Sequence, residues 1–107
     1  MINNNNKNFN PFVKNLYTIL SKDENKAVVK LSDATHPIFK AHFPTNAILP
    51  GFVNFEIISE AFDIEITSIK KAKFLKPALP NQELLYERDA TKFKVFCQNQ
   101  EIASFTL

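Results

Sequence analysis

A chain of 107 residues with a single glycine has to make its turns from other residues. Glycine takes φ > 0 at no steric cost and is the ordinary residue of tight turns. Here the stretches 21–25, 89–91 and 99–100 read as turns, and Asn and Asp take the place glycine usually fills. The one glycine, Gly51, stands beside Pro50, a residue suited to the opening of a helix. Its missing side chain leaves room for a group to approach the backbone there.

The length fits one domain, near the lower end of what builds its own core. Eleven phenylalanines and no tryptophan predict an aromatic, space-filling interior. The lone Cys97 excludes an internal disulfide framework, fits a reducing compartment, and reads as a buried strand residue. No apolar run approaches a membrane span, and the polar start 1–8 lacks the apolar stretch of a signal peptide. A cytoplasmic protein is expected. A net charge of +2 gives no ground for nucleic-acid binding.

Along the chain, residues 1–10 read as a disordered polar tail and 11–107 as one folded domain. Residues 12–20 suit a strand or a short helix; with a strand at 27–31 they suggest a hairpin. Residues 36–49 read as loop, broken by Pro37, Pro44 and Asn46. From 50 to 62 the apolar residues cover most of a helical circumference, so this helix needs burial on more than one side. Its polar exceptions are Asn54, Glu56, Ser59 and Glu60, the last three on one face. Strands are expected at 64–75, 83–88, 92–97 and 101–107. One mostly buried helix with a sheet around it is an α+β arrangement.

His42 and Glu56 bracket the Pro50-Gly51 pair. A helix opening near Gly51 has unpaired N–H groups and a positive dipole end, which suit a developing oxyanion. A histidine upstream can act as a base near neutral pH. A glutamate two turns into an apolar helix can hold and donate a proton. Base, acid and oxyanion donor suit proton abstraction α to a carbonyl followed by loss of a β-hydroxyl. They suit dehydration better than hydrolysis.

The block His42-Phe43-Pro44, Pro50-Gly51, Glu56 resembles the hot-dog-fold β-hydroxyacyl-ACP dehydratases, the FabZ/FabA type and their shorter relatives. The stretch from Lys70 to Pro80 is similar to the family's next strand, which ends in two prolines. The resemblance spans roughly residues 37–84. It implies a long antiparallel sheet wrapped around one helix, in a homodimer or an oligomer of dimers, working without a cofactor. His42 would take the α-proton, and Glu56 of the partner subunit would protonate the leaving hydroxyl. The Gly51 N–H would hold the thioester oxygen. Phe52, Phe55 and Ile58 would line an acyl tunnel, and Lys70, Lys71, Lys73 and Lys76 would meet acyl carrier protein. The substrate thioester would be carried on that protein or on coenzyme A. This chain has Ala41 and Thr45 where many members have glycine, and Glu60 where glutamine is common.

Two other readings stay open. A hot-dog thioesterase would direct water at the thioester, and a non-catalytic relative would keep the acyl groove without turnover. The four lysines equally suit an exposed strand face that discourages edge aggregation. His36 and His42 have no cysteine or carboxylate cluster to complete a metal set, so no metal is expected.

Overall fold

The computed structural model describes residues 13–41 and 46–107. The expected tail, and His42 with its neighbours through Thr45, lie outside them.

The first two strands, β1 (Tyr17–Lys22) and β2 (Lys26–Leu31), form the antiparallel hairpin that the sequence suggests. Asp23 closes it: its Oδ1 accepts the backbone N–H groups of Asn25 and Lys26, each at 2.8 Å. These bonds hold the Asp23 carboxyl below its usual range. The expected loop at 36–49 contains a short helix, α1 (Pro37–Ala41). Pro37 opens it, as proline can at a first helical position. His36 caps it, with Nδ1 accepting the Ile38 N–H at 3.1 Å. Its Nε2, 2.7 Å from the Lys14 carbonyl oxygen, therefore carries the proton. Both ring nitrogens are thus engaged, and no metal-ligating cluster occurs among the described residues.

The main helix, α2 (Val53–Phe62), follows. Then come β3 (Lys71–Phe74), β4 (Glu83–Asp89), β5 (Lys92–Cys97) and β6 (Gln100–Thr106). The six strands form one antiparallel sheet in the order β1-β2-β4-β5-β6-β3. Only the end of the strand expected at 64–75 is a strand. The reason is register: Lys71 pairs with Thr106 at the end of β6, so the residues before Lys71 have no strand facing them.

Turn chemistry follows the shortage of glycine. Positive φ falls on Asn15, Asp63, Asn81, Ala90, Gln98 and Asn99. Gln98 and Asn99 form a two-residue loop with φ of 53° and 65°, the double-positive geometry that suits a twisted hairpin. Asp63, at φ 53°, ends α2 in the left-handed region.

The inner face of the sheet carries Val29, Leu84, Tyr86, Phe93, Val95 and Phe105, all nearly or wholly buried against α2. The helix answers with Val53, Ile57, Ile58, Ala61 and Phe62. Phenylalanines meet edge to face, Phe62 with Phe93 at 5.3 Å and Phe55 with Phe105 at 4.8 Å between centroids. Cys97 is buried there, and burial pushes its thiol pKa up. This is the hot-dog arrangement, one helix embraced by one antiparallel sheet. The β3 end is the exception, because every residue of β3 is exposed.

Candidate functional site

The turn 50–52 leads into α2 without a side-chain cap. The Val53 N–H donates to the Pro50 carbonyl at 3.1 Å, and the Asn54 N–H to the Gly51 carbonyl at 3.2 Å. In a trans peptide the N–H points opposite to the carbonyl. With the Pro50 carbonyl turned down the helix, the Gly51 N–H is directed outward from the helix opening, the orientation an oxyanion donor needs. Gly51 does not have positive φ. Its need for a bare α-carbon comes from Phe74, whose ring lies against it.

Beside this turn lies a mostly apolar cavity of about 390 Å³, bordered by Gly51, Asn54, Phe74, Leu75, Pro77 and Ile102 among others. A larger groove of about 850 Å³ contains Val28, Leu85 and Phe96, which alternate with the buried residues of their strands and so line the sheet's outer face. None of the expected site residues among those described borders it.

Glu56 is half-buried in the first turns of α2, and Glu60 is exposed one turn later. The Tyr17 hydroxyl of β1 donates to Glu60 Oε1 at 2.5 Å. Burial raises the Tyr17 pKa, followed by the hydrogen bond to Glu60 and the negative charges of Glu60 and Glu56. Tyr17 thus remains a donor and sits within the field of both carboxylates. Ser59, on the same helical face, turns its hydroxyl to the Ile64 carbonyl at 2.7 Å.

Of the residues expected along an acyl tunnel, Phe52 is exposed, Phe55 is half-buried and Ile58 is wholly buried in the core. Only the first two therefore present surface. The four lysines are all exposed. Lys71 and Lys73 lie on the opposite face of β3 from Ala72 and Phe74, which pair with the buried Phe105 and Ala103. Lys76 lies beyond the strand and donates to Gln100 Oε1 at 2.9 Å. His42 lies outside the described residues.

Three contacts were not expected from the sequence: Phe74 on Gly51, Tyr17 on Glu60, and Tyr86 on Asn54. Each joins α2 or its opening turn to a distant strand, so no local spacing announces it. Gly51, Asn54 and Glu60 each stood out in the sequence, but their partners did not.

Comparison with known proteins follows the same lines. The sequence pattern of the ApeI-like family, described as ApeI dehydratase, matches residues 19–106. The 3-hydroxyacyl-[acyl-carrier-protein] dehydratase FabZ of Desulfotalea psychrophila is 31% identical over 101 residues, covering 78% of this chain and 67% of the relative. FabZ of Ehrlichia chaffeensis is 29% identical over 79 residues, which cover 64% of this chain and span just over half, 55%, of that relative's length. Among solved structures, a chain of the dehydratase heterocomplex ApeI:P from Xenorhabdus doucetiae superposes with a TM-score of 0.58 at 22% identity. That match covers 83% of this chain and 88% of the other.

Proposed function

Since the chain belongs to the ApeI-like dehydratase family, we propose that it dehydrates (3R)-3-hydroxyacyl thioesters on acyl carrier protein to trans-2-enoyl thioesters, in fatty acid or related lipid synthesis. His42 takes the proton from C2. The freed electron pair forms the C2–C3 double bond as the C3–oxygen bond breaks. Glu56 of the partner subunit protonates the departing hydroxyl, which leaves as water. The Gly51 N–H holds the thioester oxygen while negative charge gathers there. No cofactor takes part.

The observation that carries this reading is a Gly51 N–H directed outward from the opening turn of α2, followed in that helix by the half-buried Glu56. The family resemblance implies that the acid at each site comes from the second subunit.

The surface favours a dimer on its own account. Beyond β3 no further strand pairs among the described residues. On and around that strand Phe74, Leu75, Ile69 and Phe52 are exposed at 54%, 48%, 44% and 46%. An unpaired edge with exposed large apolar groups is what a second subunit covers. Residues 64–70 would gain their strand partner there.

The test is incubation of the purified protein with 3-hydroxyacyl-ACP of several chain lengths, with products read by mass spectrometry. Loss of one water, absent in His42→Ala and Glu56→Gln, is the expected result. Free acid would make the protein a thioesterase. Unchanged substrate at every length, on acyl carrier protein and coenzyme A alike, would leave an acyl-binding protein without turnover.

A further inference from the structure

Asn54 is the one polar residue among the buried residues of α2, 7% exposed on a helix face that is otherwise apolar. An amide placed there without partners costs about 1–3 kcal/mol, and a leucine of similar size would avoid that cost. Both ends of this amide are engaged. Its Nδ2 donates to the Gly51 carbonyl at 3.1 Å. A carbonyl only accepts, so the NH₂ end must face Gly51 and the oxygen must face the sheet. There Tyr86, wholly buried on β4, approaches Oδ1 at 2.6 Å and has to be the donor. Burial also raises the Tyr86 pKa, so the phenol keeps its proton. The chain of bonds runs one way, from the middle of the sheet through Asn54 to the opening of α2.

The Gly51 carbonyl therefore accepts two N–H groups, from the backbone and the side chain of Asn54. The neighbouring Pro50 carbonyl is held by the Val53 N–H. These bonds fix the peptide planes on both sides of the Gly51 α-carbon. Glycine has the widest backbone freedom of any residue. An oxyanion donor, in contrast, works only when its direction is set beforehand. We propose that Asn54 and Tyr86 are positioning residues that hold the Gly51 N–H in the direction that receives the substrate carbonyl, an inference that rests on the dehydratase reading.

The chain offers a direct probe. With one glycine in the sequence, protein labelled with ¹⁵N-glycine shows one backbone amide resonance, that of Gly51. Tyr86→Phe removes a single oxygen and Asn54→Leu replaces the amide by an apolar group of like size. Phe62→Leu, at the far end of α2 where the ring packs on Phe93, serves as a packing control. In both relay variants the Gly51 resonance is expected to move and its hydrogen exchange to quicken. Turnover is expected to fall roughly tenfold to a hundredfold with KM nearly unchanged. The double variant should lose no more than the worse single one, since both act through the same carbonyl. Phe62→Leu should lower the melting temperature without this effect on kcat.

A Gly51 resonance identical to wild type in both variants would overturn the proposal. So would unchanged kcat, or an equal kcat loss in Phe62→Leu at matched stability. If the wild-type protein dehydrates nothing, the dehydratase reading falls and the glycine resonance alone decides whether the relay holds Gly51.

Discussion

The ring of Phe74 occupies the space that a side chain at Gly51 would need. A Cβ at position 51 would stand 2.8 Å from Phe74 Cζ and 3.0 Å from Cε1. The glycine thus serves two neighbours: its α-carbon makes room for a ring from β3, and its N–H is left directed outward from the helix opening. Gly51→Ala separates the two. The backbone there is not left-handed, so alanine alone would stabilise by about 0.4–1 kcal/mol through the unfolded chain. Phe74 must move aside, which its 54% exposure permits at a cost. Urea midpoints should show Gly51→Ala destabilising in the wild-type chain and stabilising in a Phe74→Ala background. The same shift in both backgrounds would remove Phe74 as the reason for glycine.

Ala90 stands where a glycine would ordinarily be found. It is the first residue of the two-residue loop between Asp89 and Lys92, with φ at 57°. An L-residue with a Cβ is strained there, by roughly 1–2 kcal/mol. Glycine relieves the strain but frees the unfolded chain. Ala90→Gly is therefore expected to raise stability by about 0.5–1 kcal/mol, read as a higher thermal midpoint. A fall would mean that this turn carries no strain.

The chain has two tyrosines, and both are held protonated. Burial dominates in each case, with Glu60 adding to it at Tyr17. A folded pKa above the unfolded value of about 10 contributes stability that is complete below pH 10 and lost as pH rises beyond it. Absorbance at 295 nm should therefore show no phenolate near pH 10 while the protein stays folded, then both together as it unfolds. Tyr17→Phe should flatten the alkaline loss of stability and change little at neutral pH, since Glu60 is exposed and water replaces the phenol. Phenolate forming near pH 10 in the folded protein would contradict the Tyr17–Glu60 contact.

The strands at 83–88, 92–97 and 101–107 were legible because alternation and turn residues are local signals. The stretch 64–75 has the composition of a strand, but a strand exists only with a partner, and β6 faces it only from Lys71 onward. Helix α1 was missed because Pro37 read as a breaker, whereas at a helix start it costs nothing. The buried face of α2 was legible from its apolar residues. What Asn54, Gly51 and Glu60 touch was not, because Tyr86, Phe74 and Tyr17 come from strands 32, 23 and 43 positions away in sequence (86 − 54, 74 − 51 and 60 − 17).

Lys71 and Lys73 project from the outer face of β3, whereas Lys76 is engaged with Gln100. If the first two steer an acidic carrier, Lys71→Glu with Lys73→Glu should raise KM for 3-hydroxyacyl-ACP about tenfold at low salt, and less at high salt. KM for the coenzyme A thioester should change little. An equal change for both substrates would assign these lysines to the strand edge and not to the carrier.

A site shared between subunits makes a distinctive prediction for mixtures. His42→Ala and Glu56→Gln homodimers each lack one group at both sites and should be inactive. Co-refolded in equal amounts, they give about half mixed dimers, each with one site that pairs an intact His42 with an intact Glu56. Activity should return to about a quarter of wild type at equal total protein. If histidine and acid came from the same subunit, every site in the mixture would still lack one of them, and no activity would return. The family resemblance implies a histidine and an acid from different subunits, so the return of activity is the expected result.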